Sequence, residues 1–334
     1  LERRWLKPAP PGLERDAVPR TAEMRAVREA LAARESVAIT GQVAKAQTLT
    51  VQGAPGVGKT TLAHLLALQL AEGERYRDGV IWLELGPDFQ RPDQAQAVLR
   101  TWAGYATNFF GLPANLNQRF IFEPEAVRSL LAEHPHLLVV LDDVWSLAAI
   151  QPLRAALSAG AHLIITTRLH DLATNLGGGR VEVGLLSREE ALALVELRLG
   201  WQPAAGADGD GWAGDLMNAV GFRPLGLDVA LGVLLRYGDG AADWEKTARR
   251  LIAAVQSGDV ERLHLGDDDP GHNVKAVIRF SYDALPDDET RRRLRTLAAF
   301  ASEAEFSTAL AAAAWGCDEE SAYETLTGFA NAAL

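Results

Sequence analysis

Apolar positions fall into two regimes along the chain. Between residues 48 and 184, short apolar runs alternate with helix-length stretches: TLTV (48–51), GVIWLEL (79–85), LLVVLDDVW (137–145), HLIITTR (162–168) and RVEVG (180–184). Several runs are apolar at successive rather than alternate positions, the pattern of strands covered on both faces. Strands alternating with helices predict a five-stranded parallel sheet sandwiched between helices. Ahead of the sheet, Thr21 is placed to cap a helix reaching about Arg34, with Met24, Val27 and Leu31 on one face. From Ser187 onward the strand signal ends. Ser187-Arg188-Glu189-Glu190 is a capping box opening the apolar helix ALALVELRL. Helical patterns continue to about Val255, broken by the turn-rich GADGDG (206–211); GDDDP (266–270) separates a final helical block. The expected layout is a linker over 1–15, an α/β domain over 16–185, a helical domain over 186–265 and a third domain over 266–334.

On such sheets ligands bind at the carboxyl ends of the strands. There the first strand meets Gly53-Ala54-Pro55-Gly56-Val57-Gly58-Lys59-Thr60, which fits G-x-x-x-x-G-K-[ST] at every fixed position, with the helix pattern TLAHLLAL (61–68) behind it. This is a phosphate-binding P-loop. Its glycines let backbone N–H groups turn inward around phosphate oxygens, and the helix N-terminus adds partial positive charge. Lys59 is expected on the β- and γ-phosphates and Thr60 on Mg²⁺. The third strand ends in Asp142-Asp143, where Asp142 is expected to orient Mg²⁺ through its water shell and Asp143 to polarise the attacking water. The fourth ends in Thr166-Thr167-Arg168, placing an arginine fork where a γ-phosphate would lie. Taken alone, a strand-end arginine is more often solvated surface; alignment with Asp142 and the P-loop favours the phosphate role. No N-K-x-D guanine-reading motif occurs, which favours adenine.

Composition narrows the partners. The chain has 334 residues, 48% hydrophobic and 23% charged, enough for packed cores. A net charge of −11 argues against a general nucleic-acid or anionic-membrane surface. Cys317 is the single cysteine, so no internal disulfide forms, which fits a reducing cytoplasm. No uninterrupted apolar run reaches the roughly 18 residues of a membrane span, and no signal peptide is visible. Leu1 in place of Met, the Pro-rich LERRWLKPAPPGLERD and the apolar FANAAL end read as a fragment of a longer protein.

Together these segments resemble the NB-ARC nucleotide switches, a branch of the STAND (AAA+-related) ATPases that includes apoptosome scaffolds, plant disease-resistance proteins and bacterial regulators. GAPGVGKTT is similar to the family P-loop, LLVVLDDVW to its Mg²⁺ strand down to Trp145, and LIITTR to its sensor segment. Gly221-Phe222-Arg223-Pro224-Leu225-Gly226-Leu227 resembles the G-x-P-L box of the helical domain. SYDALPDDETRRRLRTLAAF (281–300) resembles the opening of a winged-helix domain, and Val18-Pro19-Arg20 the short motif lying over adenine. The resemblance runs from about residue 15 to the end.

The resemblance implies that Val18 and Arg20 bind the adenine side, and that Gly56, Val57, Gly58, Lys59, Thr60 and Thr61 hold phosphates. It places Mg²⁺ on Thr60 and Asp142, hydrolysis on Asp143 with Lys59 and Arg168, γ-phosphate sensing on Arg168, and adenine packing on Pro224. Sequence physics alone reads Pro224 as a helix start. The implied function is an ATP/ADP switch: closed with ADP, opening and self-associating with ATP, in the cytoplasm, with unidentified effector and sensor domains in the full-length chain. Motors of the wider class carry Asp-Glu here; Asp143 is one methylene shorter, which predicts slow hydrolysis. The family's Met-His-Asp-like motif would lie beyond Leu334, implying a weakened closed state for this fragment. Gly266–Leu334 carries 13 acidic and 6 basic residues, so the winged-helix segment is not expected to bind DNA. Its arginines at 291–293 and 295 read instead as a salt-bridged helix surface beside Asp287-Asp288-Glu289. Two other readings remain at this level: a turnover ATPase of the AAA+ motor kind, separable by fast unaided hydrolysis, and a scaffold with structural ADP.

Overall fold

The computed structural model describes residues 17–32, 47–53, 56–110, 124–132, 134–158, 160–176, 179–202, 211–237, 240–257, 282, 285, 287–297 and 307–331. The expected linker, the residues beyond Ala32 in the first helix, most of GADGDG and all of GDDDP lie outside these. The chain divides into two compact units, one of Leu1–Ala54 with Gly58–Gly184, the other of Pro55–Val57 with Leu185–Leu334.

The first unit is built on five parallel strands, β1 (Gln47–Gln52), β2 (Gly79–Glu84), β3 (Leu137–Asp142), β4 (His162–Thr167) and β5 (Gly179–Glu182), ordered β2-β3-β4-β1-β5. Every residue of β3 and β4 is buried, as continuous apolar runs covered on both faces require. Edge strand β5 differs: Val181 is buried between exposed Arg180 and Glu182, charges that blunt an open edge. Registers Val51↔Thr166 and Leu141↔Ile165 bring the ends of β1, β4 and β3 level. From β1 the chain crosses to the far edge at β2, and from β4 it crosses past β1 to β5. The connections leaving the neighbouring strands β4 and β1 therefore run in opposite directions, and at such a switch point these sheets open a crevice.

Among the described residues, six α-helices accompany this sheet: α1 (Thr21–Ala32), α2 (Lys59–Glu72), α3 (Gln94–Phe110), α4 (Pro124–Ala132), α5 (Leu147–Ala156) and α6 (His170–Asn175). α2 packs against β1 to β4, and its burial runs through Leu62, Ala63, Leu66, Ala67 and Ala71. A helix apolar on so many sides belongs inside. α1 buries the expected stripe of Met24, Val27 and Leu31 and packs on β5, β1 and α2. A core joins Leu99 and Trp102 of α3, Val127 and Leu131 of α4 and Leu153 of α5 to Val139, Leu141, Leu163 and Ile165 of the sheet.

The regular elements among the described residues of the second unit are helices: α7 (Arg188–Leu199), α8 (Gly211–Ala219), α9 (Pro224–Tyr237), α10 (Ala241–Ser257), α11 (Asp288–Leu297), α12 (Thr308–Trp315) and α13 (Glu319–Asn331). α7 starts with the capping box read from sequence: Glu190 N–H donates to Ser187 Oγ at 3.2 Å and Ser187 N–H to Glu190 Oε2 at 2.8 Å. After α8, Gly221 (φ +66°) and Phe222 (φ +54°) are both left-handed, returning N–H groups to the Asn218 and Met217 carbonyls. Pro224 then opens α9 at the position where a missing N–H costs nothing. In the last three helices Ala311, Ala312, Trp315, Ala322 and Phe329 form a small core. The α11 arginines are internally engaged: Arg291 with Asp288, Arg292 with Glu289, and Arg293 with Glu289 and Thr325 Oγ1, as their acidic neighbours implied. Among the described residues, no helix is long and apolar enough to cross a membrane.

Candidate functional site

The switch point of the sheet is where the chemistry gathers. β1 runs out through Gly53, and the loop returns through Gly56 (φ +73°) and Gly58 (φ +89°), left-handed conformations that a side chain resists. Val57 between them is buried, and Thr61 is half-buried on the first turn of α2. Lys59 is the first residue of α2, and its Nζ donates to the Gly53 carbonyl at 3.0 Å, closing the loop on itself. Burial, then the neighbouring Arg168 charge, pull the Lys59 ammonium down to about 8; Asp143 and Asp142 oppose the shift. A phosphate in the loop would supply the counter-charge that this lysine needs.

Thr60 follows, and its hydroxyl donates to Asp142 Oδ1 at 3.1 Å, joining the loop to the end of β3. Asp142 is fully buried. A second hydroxyl, Thr166 Oγ1 on β4, donates to the same oxygen at 2.5 Å and accepts the Asp143 N–H at 2.9 Å. One hydroxyl thus acts as donor and acceptor at once, holding both acids in register. Thr167 continues the stitching: its hydroxyl donates to the Val144 carbonyl at 2.8 Å and accepts the Leu169 N–H at 3.1 Å. Thr60 and Asp142 form an oxygen pair suited to Mg²⁺, which takes few protein ligands and keeps its waters. Among the described residues there is no grouping of three or more His, Cys, Asp or Glu side chains of metal-site kind.

Asp143 takes a left-handed backbone (φ +50°), which short polar residues tolerate. That turn aims its carboxylate sideways. Arg168 Nε–H donates to Oδ1 at 3.0 Å and its second amino group approaches Oδ2 at 3.4 Å; the Trp145 indole N–H donates to Oδ2 at 2.9 Å. The acid read from sequence as polarising water is held here by two donors. Arg168, read as the γ-phosphate residue, is bound to that acid and lies over the Trp145 ring, 5.3 Å from its centroid.

Lys59, Thr60, Asp142, Asp143 and Arg168 therefore meet at the carboxyl ends of the inner strands β1, β3 and β4. Val18 is half-buried ahead of α1; Arg20 is buried, its guanidinium bound to Glu23 and to the Gly184 carbonyl at 3.2 Å. Pro224 is half-buried at the start of α9. Sequence reasoning named Thr166 and Trp145 within their segments and gave neither side chain a role of its own. The available signal was a pair of threonines inside an otherwise apolar strand: buried hydroxyls need partners.

Sheet order, phosphate loop and facing acid define a P-loop NTPase. A family model described as NB-ARC domain matches residues 34–203, and the chain belongs to that family. Disease resistance protein RPP8 of Arabidopsis thaliana is 24% identical over 274 residues, covering 78% of this chain and 28% of its own length. The probable disease resistance protein RPP1 of the same plant is 26% identical over 247 residues, covering 72% and 18%. The chain thus spans under a third of the length of these relatives. Among solved structures, a Signal Transduction ATPase with Numerous Domains (STAND) protein with a tetratricopeptide repeat sensor, from Pyrococcus horikoshii, aligns over 98% of this chain and 41% of its own. Its TM-score is 0.55 at 15% identity, a likeness of fold. Family membership supports nucleotide binding.

Proposed function

We propose that this chain is the ATP/ADP-gated core of a regulatory protein, with ADP holding a closed state and ATP releasing it for self-association. The carrying observation is the Thr60–Asp142 hydrogen bond of 3.1 Å, which sets the phosphate loop beside a fully buried carboxylate oriented by Thr166. In this reading Gly56, Val57, Gly58, Lys59, Thr60 and Thr61 bind phosphates, and Thr60 and Asp142 hold Mg²⁺ with its waters. When bound, Mg²⁺ neutralises phosphate charge. Val18, Arg20 and Pro224 serve the adenine, and Arg168 reads the γ-phosphate. Asp143, engaged by Arg168 and Trp145, supports slow rather than motor-like hydrolysis.

The division proposed is an α/β domain over 16–185, a helical domain over 186–265 and the opening of a winged helix from 266. Effector and sensor domains would lie elsewhere in a longer protein, in the cytoplasm. A nucleotide drives such a switch only through unequal affinity for its two states. The test is the nucleotide released on denaturing the purified chain. Near-stoichiometric ADP, absent from Lys59→Ala, is the expected result. An empty wild-type site that turns ATP over quickly without a partner would replace the switch with a turnover ATPase.

A further inference from the structure

Neither phosphate binding nor the Mg²⁺ carboxylate accounts for the placement of Trp145. Its indole N–H donates to Asp143 Oδ2 at 2.9 Å, and its ring lies under the Arg168 guanidinium at 5.3 Å. Arg168 also donates to Asp143 Oδ1 at 3.0 Å. Three side chains thus close a triangle in which each touches the other two. The Asp143 side chain is 8% exposed and that of Arg168 39%. The acid is the fixed corner, pinned through its own N–H to Thr166, and the arginine is the corner with room to leave.

An arginine satisfied by a carboxylate and an aromatic face has its charge answered without any γ-phosphate. To meet a γ-phosphate it must exchange one anion for another and leave the ring. The strength of the triangle is therefore subtracted from the affinity for a triphosphate, whereas a diphosphate leaves it intact. We propose that Trp145 is a positioning residue that holds Arg168 on Asp143 and thereby sets the discrimination between adenosine di- and triphosphate. This rests on the reading of Arg168 as the γ-phosphate residue.

Binding of ADP and of a slowly hydrolysed ATP analogue, both with Mg²⁺, to the 334-residue chain tests it. Trp145→Phe keeps a ring beneath the guanidinium and removes the N–H; Trp145→Leu removes both. Trp145 is only half-buried, so both variants are expected to fold; if Trp145→Leu fails to, Trp145→Phe decides. The analogue-to-ADP affinity ratio should rise severalfold in Trp145→Phe and about tenfold in Trp145→Leu, the scale of one charge-assisted contact. In an Arg168→Ala background the same substitutions should leave the ratio where Arg168→Ala alone puts it. A ratio unmoved in both variants, or moved equally without Arg168, overturns the proposal, as does a parallel fall in both affinities. A wild-type chain that binds neither nucleotide overturns the switch reading and this inference together; binding with an unmoved ratio removes this inference alone.

Discussion

Thr166→Val replaces a hydroxyl by a methyl of nearly the same size at a site 1% exposed. Packing is preserved, and two polar contacts are lost. The Thr166 hydroxyl donates to Asp142 Oδ1 at 2.5 Å and accepts the Asp143 N–H at 2.9 Å. Losing a hydrogen bond to a charged group costs about 1.5–3 kcal/mol, and orphaning a buried N–H about 1–3 kcal/mol. The two losses share one hydroxyl and the Asp142-Asp143 turn relaxes around them, so about 3 kcal/mol is expected rather than their full sum. For a unit of this size each kcal/mol shifts the midpoint by about 2–4 °C, so the α/β unit should melt about 6–12 °C lower. Thr166→Ser retains the hydroxyl and should lose far less. Thermal unfolding followed by circular dichroism, with and without Mg²⁺-ADP, measures both variants. A Thr166→Val chain within about 1 °C of wild type, or a Thr166→Ser chain destabilised as much, would refute the view that this hydroxyl holds the acids in place.

Lys59 provides a pH signature. Its folded value of about 8 lies below the usual 10.5, so between the two the unfolded chain binds more protons, and this group's contribution to stability rises with pH through that window. Phosphates favour the ammonium, so ADP binding just above pH 8 should take up a proton, seen as calorimetric heats that depend on the buffer's ionisation enthalpy; Lys59→Arg should abolish the dependence. Gly58→Ala forces a side chain into φ +89° and should reduce nucleotide affinity at least tenfold by equilibrium dialysis while the sheet's circular dichroism persists. Ser187→Ala removes the hydroxyl that accepts the Glu190 N–H, leaves the backbone N–H arm to the Glu190 carboxylate, and should cost about 1 kcal/mol in denaturant unfolding, with ADP affinity unchanged.

What the sequence by itself determined was local or periodic. Continuous apolar runs specify strands buried on both faces, as in β3 and β4, and the alternation of RVEVG marks the edge strand, so all five were legible to within a few residues; the α7 capping box and the α1 stripe could be named outright. The P-loop was equally legible, because its chemistry lies in eight consecutive residues whose glycines act through their own φ angles. Contacts across strands were not. Whether Asp142 and Asp143 differ in role depends on strand order, which brings β4 between β3 and β1 and carries Thr166 to Asp142, 24 positions away in the chain. The left-handed turn at Asp143 separates the two carboxylates, sending one toward Thr60 and the other to Trp145 and Arg168. Periodicity reports which face of an element is buried and says nothing of which side chain stands opposite it. Only tertiary packing decides which donors reach a given carboxylate, and here it gave Asp143 two partners that no spacing in the chain foretells.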